Sequence, residues 1–88
     1  MDYFKDGEQL RYQIKNLVYS FMKDSNSCKN TSEGMKQAEI FRECGLDWGT
    51  YDNATSSNQQ YWLVALLRQL EAENKLQRDP VSKKWRLV

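Results

Sequence analysis

The chain has 88 residues, 40% of them hydrophobic, and a formal net charge of +1. That length holds one domain, residues 1–88. There is no run of about 18 apolar residues, which excludes a membrane-spanning helix, and the balanced charge falls short of the basic face that many DNA-binding domains carry. A chain this short buries only about 60–65% of its unfolded surface. Three Trp, five Tyr and three Phe compensate by burying a large area each. The first residues, MDYFKDGEQLRYQ, are too polar for a signal peptide, so a cytoplasmic location is expected. Asn30-Thr31-Ser32 and Asn53-Ala54-Thr55 match glycosylation acceptors, which carry no meaning without secretion.

The first predicted helix runs from about Gly7 to Lys23. Leu10, Ile14, Leu17, Val18 and Phe21 fall on one stripe at helical spacing, which reads as a core helix. Asp6 followed by Gln9 fits a capping-box start. Residues 24–34, DSNSCKNTSEG, read as a polar loop. A second helix is predicted from about Ser32 to Cys44. Gly45 is placed to end it in a left-handed conformation, with Leu46 folding back as an apolar contact. Residues 47–58, DWGTYDNATSSN, make a long connection holding an extra helical turn or a compact loop. Ser56, Ser57 and Asn58 are good N-caps for a third helix over about 57–74, with Leu63, Leu66, Leu67 and Leu70 on its apolar face. Leu76-Gln77-Arg78 and Lys84-Trp85-Arg86-Leu87 alternate with period two, as half-buried strands do, and Asp79-Pro80 stands where a turn is needed. A hairpin over about 75–88 follows.

Cys28 and Cys44 are the only cysteines, and there is no histidine. Two thiols do not complete a tetrahedral zinc site, and a disulfide scaffold needs more cysteines and an oxidising compartment. Cys44 falls on the apolar side of its helix and reads as core; Cys28, in the polar loop, reads as a free thiol. Catalysis finds little support. A Ser or Cys nucleophile has no histidine to serve as its base. The carboxylates are scattered, and no glycine-rich phosphate loop is present. The chain is therefore expected to be neither an enzyme nor a cofactor protein.

Charge is unevenly spread. Residues 75–88 hold Lys75, Arg78, Lys83, Lys84 and Arg86 against Asp79, a local net charge of +4. Residues 1–74 hold eight basic and eleven acidic residues, which gives −3. The asymmetry argues for an anionic partner at the C-terminal hairpin.

Three helices, a glycine turn after the second, and a hairpin resemble the winged helix-turn-helix superfamily, a fold that is α+β and mostly α. The resemblance covers roughly Leu10 to Val88. It is most specific at Leu63-x-x-x-Leu67-x-x-Leu70, Asn74-x-Leu76 and Trp85-x-Leu87, where Asn74 stands in the place of a glycine common in that superfamily and is the next best residue for a left-handed helix end. Trp62, Ala65 and Arg68-Gln69-Leu70 look like the winged-helix (RQC) domain of RecQ-type helicases, whose wing separates or grips duplex ends. No ATPase motor or zinc subdomain fits in 88 residues, so the likeness is to an isolated module. Lys75-Leu76-Gln77 and Trp85 look like the Zα type of left-handed-DNA binder. That match departs where the family's Asn and Tyr contacts fall on Val64 and Arg68, and where its paired wing prolines are absent.

The resemblance implies a DNA-binding protein, a transcription regulator or DNA-processing accessory acting on a duplex or duplex end. Its recognition helix would present Ser56, Ser57, Asn58, Gln59, Gln60 and Tyr61. Amides suit the N6/N7 edge of adenine, and hydroxyls at a helix N-terminus suit phosphate. The same residues also suit plain capping and a solvated face. The wing would place Arg78, Lys83, Lys84 and Arg86 on phosphates, although exposed strand edges carry Lys and Arg to prevent aggregation as well. Trp48, Tyr51, Trp62 and Val64 are apolar where many winged helices are polar or basic. They support an alternative, a winged helix used as a protein-interaction module that docks a partner or a second copy.

Overall fold

The computed structural model describes residues 1–47 and 56–88, with the side chains of residues 56–61 outside that description. The elements in chain order are α1 (Tyr3–Asp24), a 3-10 turn (Asn26–Cys28), α2 (Gln37–Glu43), α3 (Ser56–Ala72), β1 (Leu76–Arg78) and β2 (Trp85–Leu87). The architecture is α+β and mostly helical, with an antiparallel hairpin after the third helix.

Helix α1 begins four residues before the expected start. Asp2, not Asp6, is the cap: its Oδ1 accepts from the Lys5 N–H at 3.1 Å, while Asp6 lies inside the first turn. An acidic group there opposes the positive end of the helix dipole. The helix stops where Ser25 turns extended (φ −93°, ψ 124°) and its N–H donates to the Met22 carbonyl.

Helix α2 is shorter than expected. Residues 32–36 are not helical, because Gly34 takes a positive φ of 91° and Met35 is held as a strand. The Met35 N–H donates to the Trp85 carbonyl and the Trp85 N–H to the Met35 carbonyl, each at 2.8 Å. Strand β2 is thus paired on both sides, with Met35 on one edge and β1 on the other. The β1–β2 register is Leu76↔Leu87, Gln77↔Arg86 and Arg78↔Trp85.

Two helix ends follow the left-handed capping that the sequence predicts. At Gly45 (φ 71°), the Leu46 N–H reaches back to the Phe41 carbonyl at 2.8 Å, and the Gly45 N–H to Arg42 at 3.0 Å. At Asn74 (φ 62°), the Lys75 N–H reaches the Leu70 carbonyl and the Asn74 N–H reaches Glu71. Each pair of bonds satisfies carbonyls that the helix leaves unpaired. The second pair turns the chain directly into β1.

The core is built where α1, α2, α3 and the hairpin meet. Val18 and Met22 come from α1, Ile40 and Phe41 from α2, the four leucines 63, 66, 67 and 70 from α3, and Leu76 and Trp85 from the strands. Two expectations change here. The stripe on α1 is core only toward its C-terminal end: Val18 and Met22 are buried, Ile14 and Phe21 half-buried, but Leu10 is 60% and Leu17 47% exposed. The helix is about 33 Å long, and its first half meets α3 only across grooves lined by Trp62 and Gln69. Cys28, expected in a polar loop, is fully buried in the 3-10 turn, while Cys44 is half-buried at its edge. Desolvation pushes both thiols up, Cys44 to about 11, so neither is a thiolate at neutral pH.

Candidate nucleic-acid interface

Hairpin and α3 are joined by three residues, Glu73, Asn74 and Lys75, so the left-handed turn at Asn74 sets their relative position. Leu76 and Trp85 then anchor the hairpin on α3 and α1 through the core. What the strands leave outside is a turn, residues 79–84, shaped by one carboxylate. Asp79 Oδ1 accepts from the Ser82 N–H at 2.9 Å and the Val81 N–H at 2.8 Å. The Lys83 N–H closes onto the Asp79 carbonyl, and Lys83 sits at φ 65°.

These hydrogen bonds, with the Ser82 amide first and Val81 next, hold the Asp79 carboxyl below its ordinary value of 3.8, and Arg86 adds to the effect. A depressed folded pKa contributes stability above the ordinary value and loses it as pH falls through the folded one. The Val81 and Ser82 amide resonances are therefore expected to lose their hydrogen-bonded shifts only below that value. An NMR titration in which Asp79 protonates at or above 3.8 contradicts this account of the turn.

The basic residues of the hairpin are largely engaged within the protein. Arg78 lies over the Trp85 ring, 5.3 Å from guanidinium to centroid, and its Nε donates to the Lys83 carbonyl at 3.2 Å. Lys84 pairs with Glu33 at 3.4 Å and Arg86 with Asp79 at 3.6 Å. Lys75 pairs with Glu73 at 3.3 Å and lies 5.4 Å from the Tyr19 ring. Lys83, at the tip, is exposed and makes no ion pair with a described residue. Exposed pairs of this kind are worth about 0–1 kcal/mol each, so an anion can recruit Lys84 and Arg86. Arg78 is different, since its planar group is stacked as part of the domain.

Trp85 is the residue around which this side of the protein is organised. It is fully buried, and two guanidiniums lie over its ring system: Arg78, from β1, and Arg68, from α3, at 5.2 Å. Arg68 also pairs with Glu71 at 3.0 Å. Arg68 escapes a reading of the sequence as a contact of Trp85 because seventeen positions separate them; the helical spacing that puts Arg68 beside Leu67 and Leu70 is the only hint.

The expected recognition residues Ser56, Ser57, Asn58, Gln59, Gln60 and Tyr61 occupy the first turns of α3, where backbone N–H groups are free of intrahelical partners. Their side-chain geometry lies outside the described residues, as do Trp48 and Tyr51 entirely. Of the apolar patch, Trp62 is 52% exposed and Val64 is half-buried against the core. Farther along α3, Ala65, Gln69 and Ala72 face solvent beside Arg68. That outward surface is weakly charged.

No group of three or more potential metal ligands occurs among the described residues, and no helix there is long and apolar enough to cross a membrane. Comparison with known proteins adds no relative: no family model, curated protein or solved structure matches the chain.

Proposed function

We propose that this protein is a winged-helix DNA-binding module, with the first turns of α3 toward the groove and the hairpin against phosphates. The observation that carries the reading is the connectivity: helix, a single bridging strand residue at Met35, two helices, then a hairpin whose second strand pairs with Met35. Helix α3 packs against the first strand of the hairpin that follows it, so a recognition helix and a wing would stand together. Local charge supports the same side, with +4 over residues 75–88 against −3 elsewhere. The likeness to the RecQ-type domain belongs to this proposal. It rests on Leu70 closing the core turn of α3 and on Arg68 beside it.

A recognition helix of this composition carries few cations, so affinity depends on the wing. Three or four phosphate contacts give a salt slope of about −3, and binding that is weak at physiological salt. Fluorescence anisotropy with a short duplex carrying a single-stranded tail, at two salt concentrations, measures this. Lys83→Glu with Lys84→Glu is expected to weaken binding at low salt by at least about tenfold, since two phosphate contacts become two repulsions. Unchanged affinity in that variant sinks the wing contact.

The exposure of Trp62 favours a second reading, a protein-interaction module. A half-exposed Trp suits an interface anchor. Trp62→Ala leaves DNA affinity unchanged under the first reading and abolishes partner binding under the second.

A further inference from the structure

Arg68 and Arg78 come from different elements, α3 and β1, and meet at one residue. Their guanidiniums lie 5.2 and 5.3 Å from the ring centroid of Trp85, which is fully buried. A guanidinium laid on a fixed ring is held in place before any ligand arrives, so little of its freedom is lost on binding. Stacking uses the flat face of the group and leaves its rim of N–H donors for hydrogen bonds. Part of each rim is engaged. Arg78 Nε donates to the Lys83 carbonyl at 3.2 Å, and Arg68 Nη1 to Glu71 Oε1 at 3.0 Å.

Charge is unbalanced at this point. Among the described residues the two guanidiniums have one ion-pair partner, Glu71, in a pair whose side chains are 50% and 38% exposed. Asp79, next to Arg78 in the chain, is taken up by the turn amides and by Arg86. Two cations on one ring repel, and an exposed pair such as Arg68–Glu71 offsets little of that. An anion from outside balances the charge, and phosphate matches the planar fork of arginine.

We propose that Arg68 and Arg78 form a phosphate clamp where α3 meets the hairpin, and that its ligand is the backbone of a nucleic-acid strand. The clamp rests on the DNA-binding reading above and deepens it, because it adds a cation of α3 to contacts otherwise confined to the hairpin. The surroundings suit a strand. Ala65, Gln69 and Ala72 are exposed beside Arg68, small or neutral side chains that let a backbone approach. On the other side Arg78 leads into the turn where Lys83 stands exposed. Cations that continue from helix to turn follow a chain of phosphates better than a single ion.

The NMR signals of the arginine Nε–H groups test the clamp itself, with inorganic phosphate as probe and chloride at equal ionic strength as control. Phosphate at up to about 50 mM is expected to shift the signals of both Arg68 and Arg78. No difference from chloride at either residue overturns the clamp and leaves contacts at the hairpin tip to stand or fall by themselves. Fluorescence anisotropy with a short duplex tests the source of the phosphate, with circular dichroism to confirm that each variant is folded. Arg68→Gln is expected to weaken duplex binding about tenfold at low salt and to reduce the salt slope by about 1. Arg68→Lys keeps the slope and recovers only part of the affinity, since lysine brings the charge without the stacked fork. Unchanged affinity and slope in Arg68→Gln overturn the strand as ligand. Full recovery in Arg68→Lys overturns the stacked fork as the cause. A wild type that responds to phosphate and binds no duplex sinks the DNA-binding reading and supports the clamp as a site for free phosphate.

Discussion

Gly34→Ala is expected to destabilise the protein by about 3 kcal/mol or more, from two causes that act together. Gly34 adopts a φ of 91°, in the region that side chains avoid. A Cβ built there would also lie 2.6 Å from the Trp85 carbonyl oxygen and 3.0 Å from its carbon. Those are backbone atoms, and the same carbonyl accepts the Met35 N–H at 2.8 Å. Relief of the clash therefore requires breaking the pairing of Met35 with β2. For a domain of this size the cost corresponds to a fall in Tm of about 15 °C. Thermal unfolding followed by circular dichroism measures it. A shift of less than about 3 °C would show that residues 34 and 85 do not approach closely. Alanine at Gly7, where no neighbour lies within 4 Å and the backbone is helical, is the contrasting substitution. It should raise the stability of the monomer by a few tenths to about 1 kcal/mol.

Trp85→Ala is the second substitution of large effect, with an expected loss of about 3–5 kcal/mol. The ring is fully buried and is the largest such side chain in the core. Its removal leaves a cavity between α1, α3 and β1, and it takes away the surface on which Arg68 and Arg78 rest. Each stacked guanidinium contributes about 0.5–1 kcal/mol beyond the area buried. Against a total stability of about 5–15 kcal/mol, the variant stands at the edge of folding. Trp85→Phe keeps the protein measurable. It retains an aromatic face for the two arginines and removes the indole N–H, which has no hydrogen-bond partner among the described residues. Urea unfolding should place Trp85→Phe between wild type and Trp85→Ala. If Arg68→Ala and Arg78→Ala each cost nothing in wild type, the stacking account fails and packing alone explains Trp85.

Neither substitution is foreseen from local pattern. Gly34 reads as part of a polar loop running into a helix, since Ser32 is a fair N-cap and the following residues are ordinary helix formers. The distance from residue 34 to residue 85 along the chain hides the contact that forbids helix there. Arg78 reads as a wing cation because alternation shows that a residue leaves the buried face of a strand, not what it then covers. With Lys84 and Arg86 engaged by Glu33 and Asp79, the candidate interface has one cation, Lys83, standing clear among those of the hairpin. The electrostatic case for DNA is accordingly narrower than the composition of residues 75–88 implies.

Other features were legible because their causes are local. Gly45 and Asn74 take left-handed φ at the ends predicted for them, since only residues that tolerate that conformation can let the next N–H reach back to an unpaired carbonyl. The leucines of α3 are buried as a set because their helical spacing puts them on one face. The hairpin forms where period-two alternation flanks Asp79-Pro80. Helix α1 separates what the sequence determined from what the tertiary structure decided. By itself the sequence determined an amphipathic helix over about 7–23, because periodicity is a property of consecutive residues; its first turn, capped by Asp2, came from the structure. Which part of its apolar stripe is buried was decided only by packing. Val18 and Met22 meet the other helices and the hairpin and became core, while the residues from Tyr3 to Leu10 border α3 only across open grooves and were left as surface.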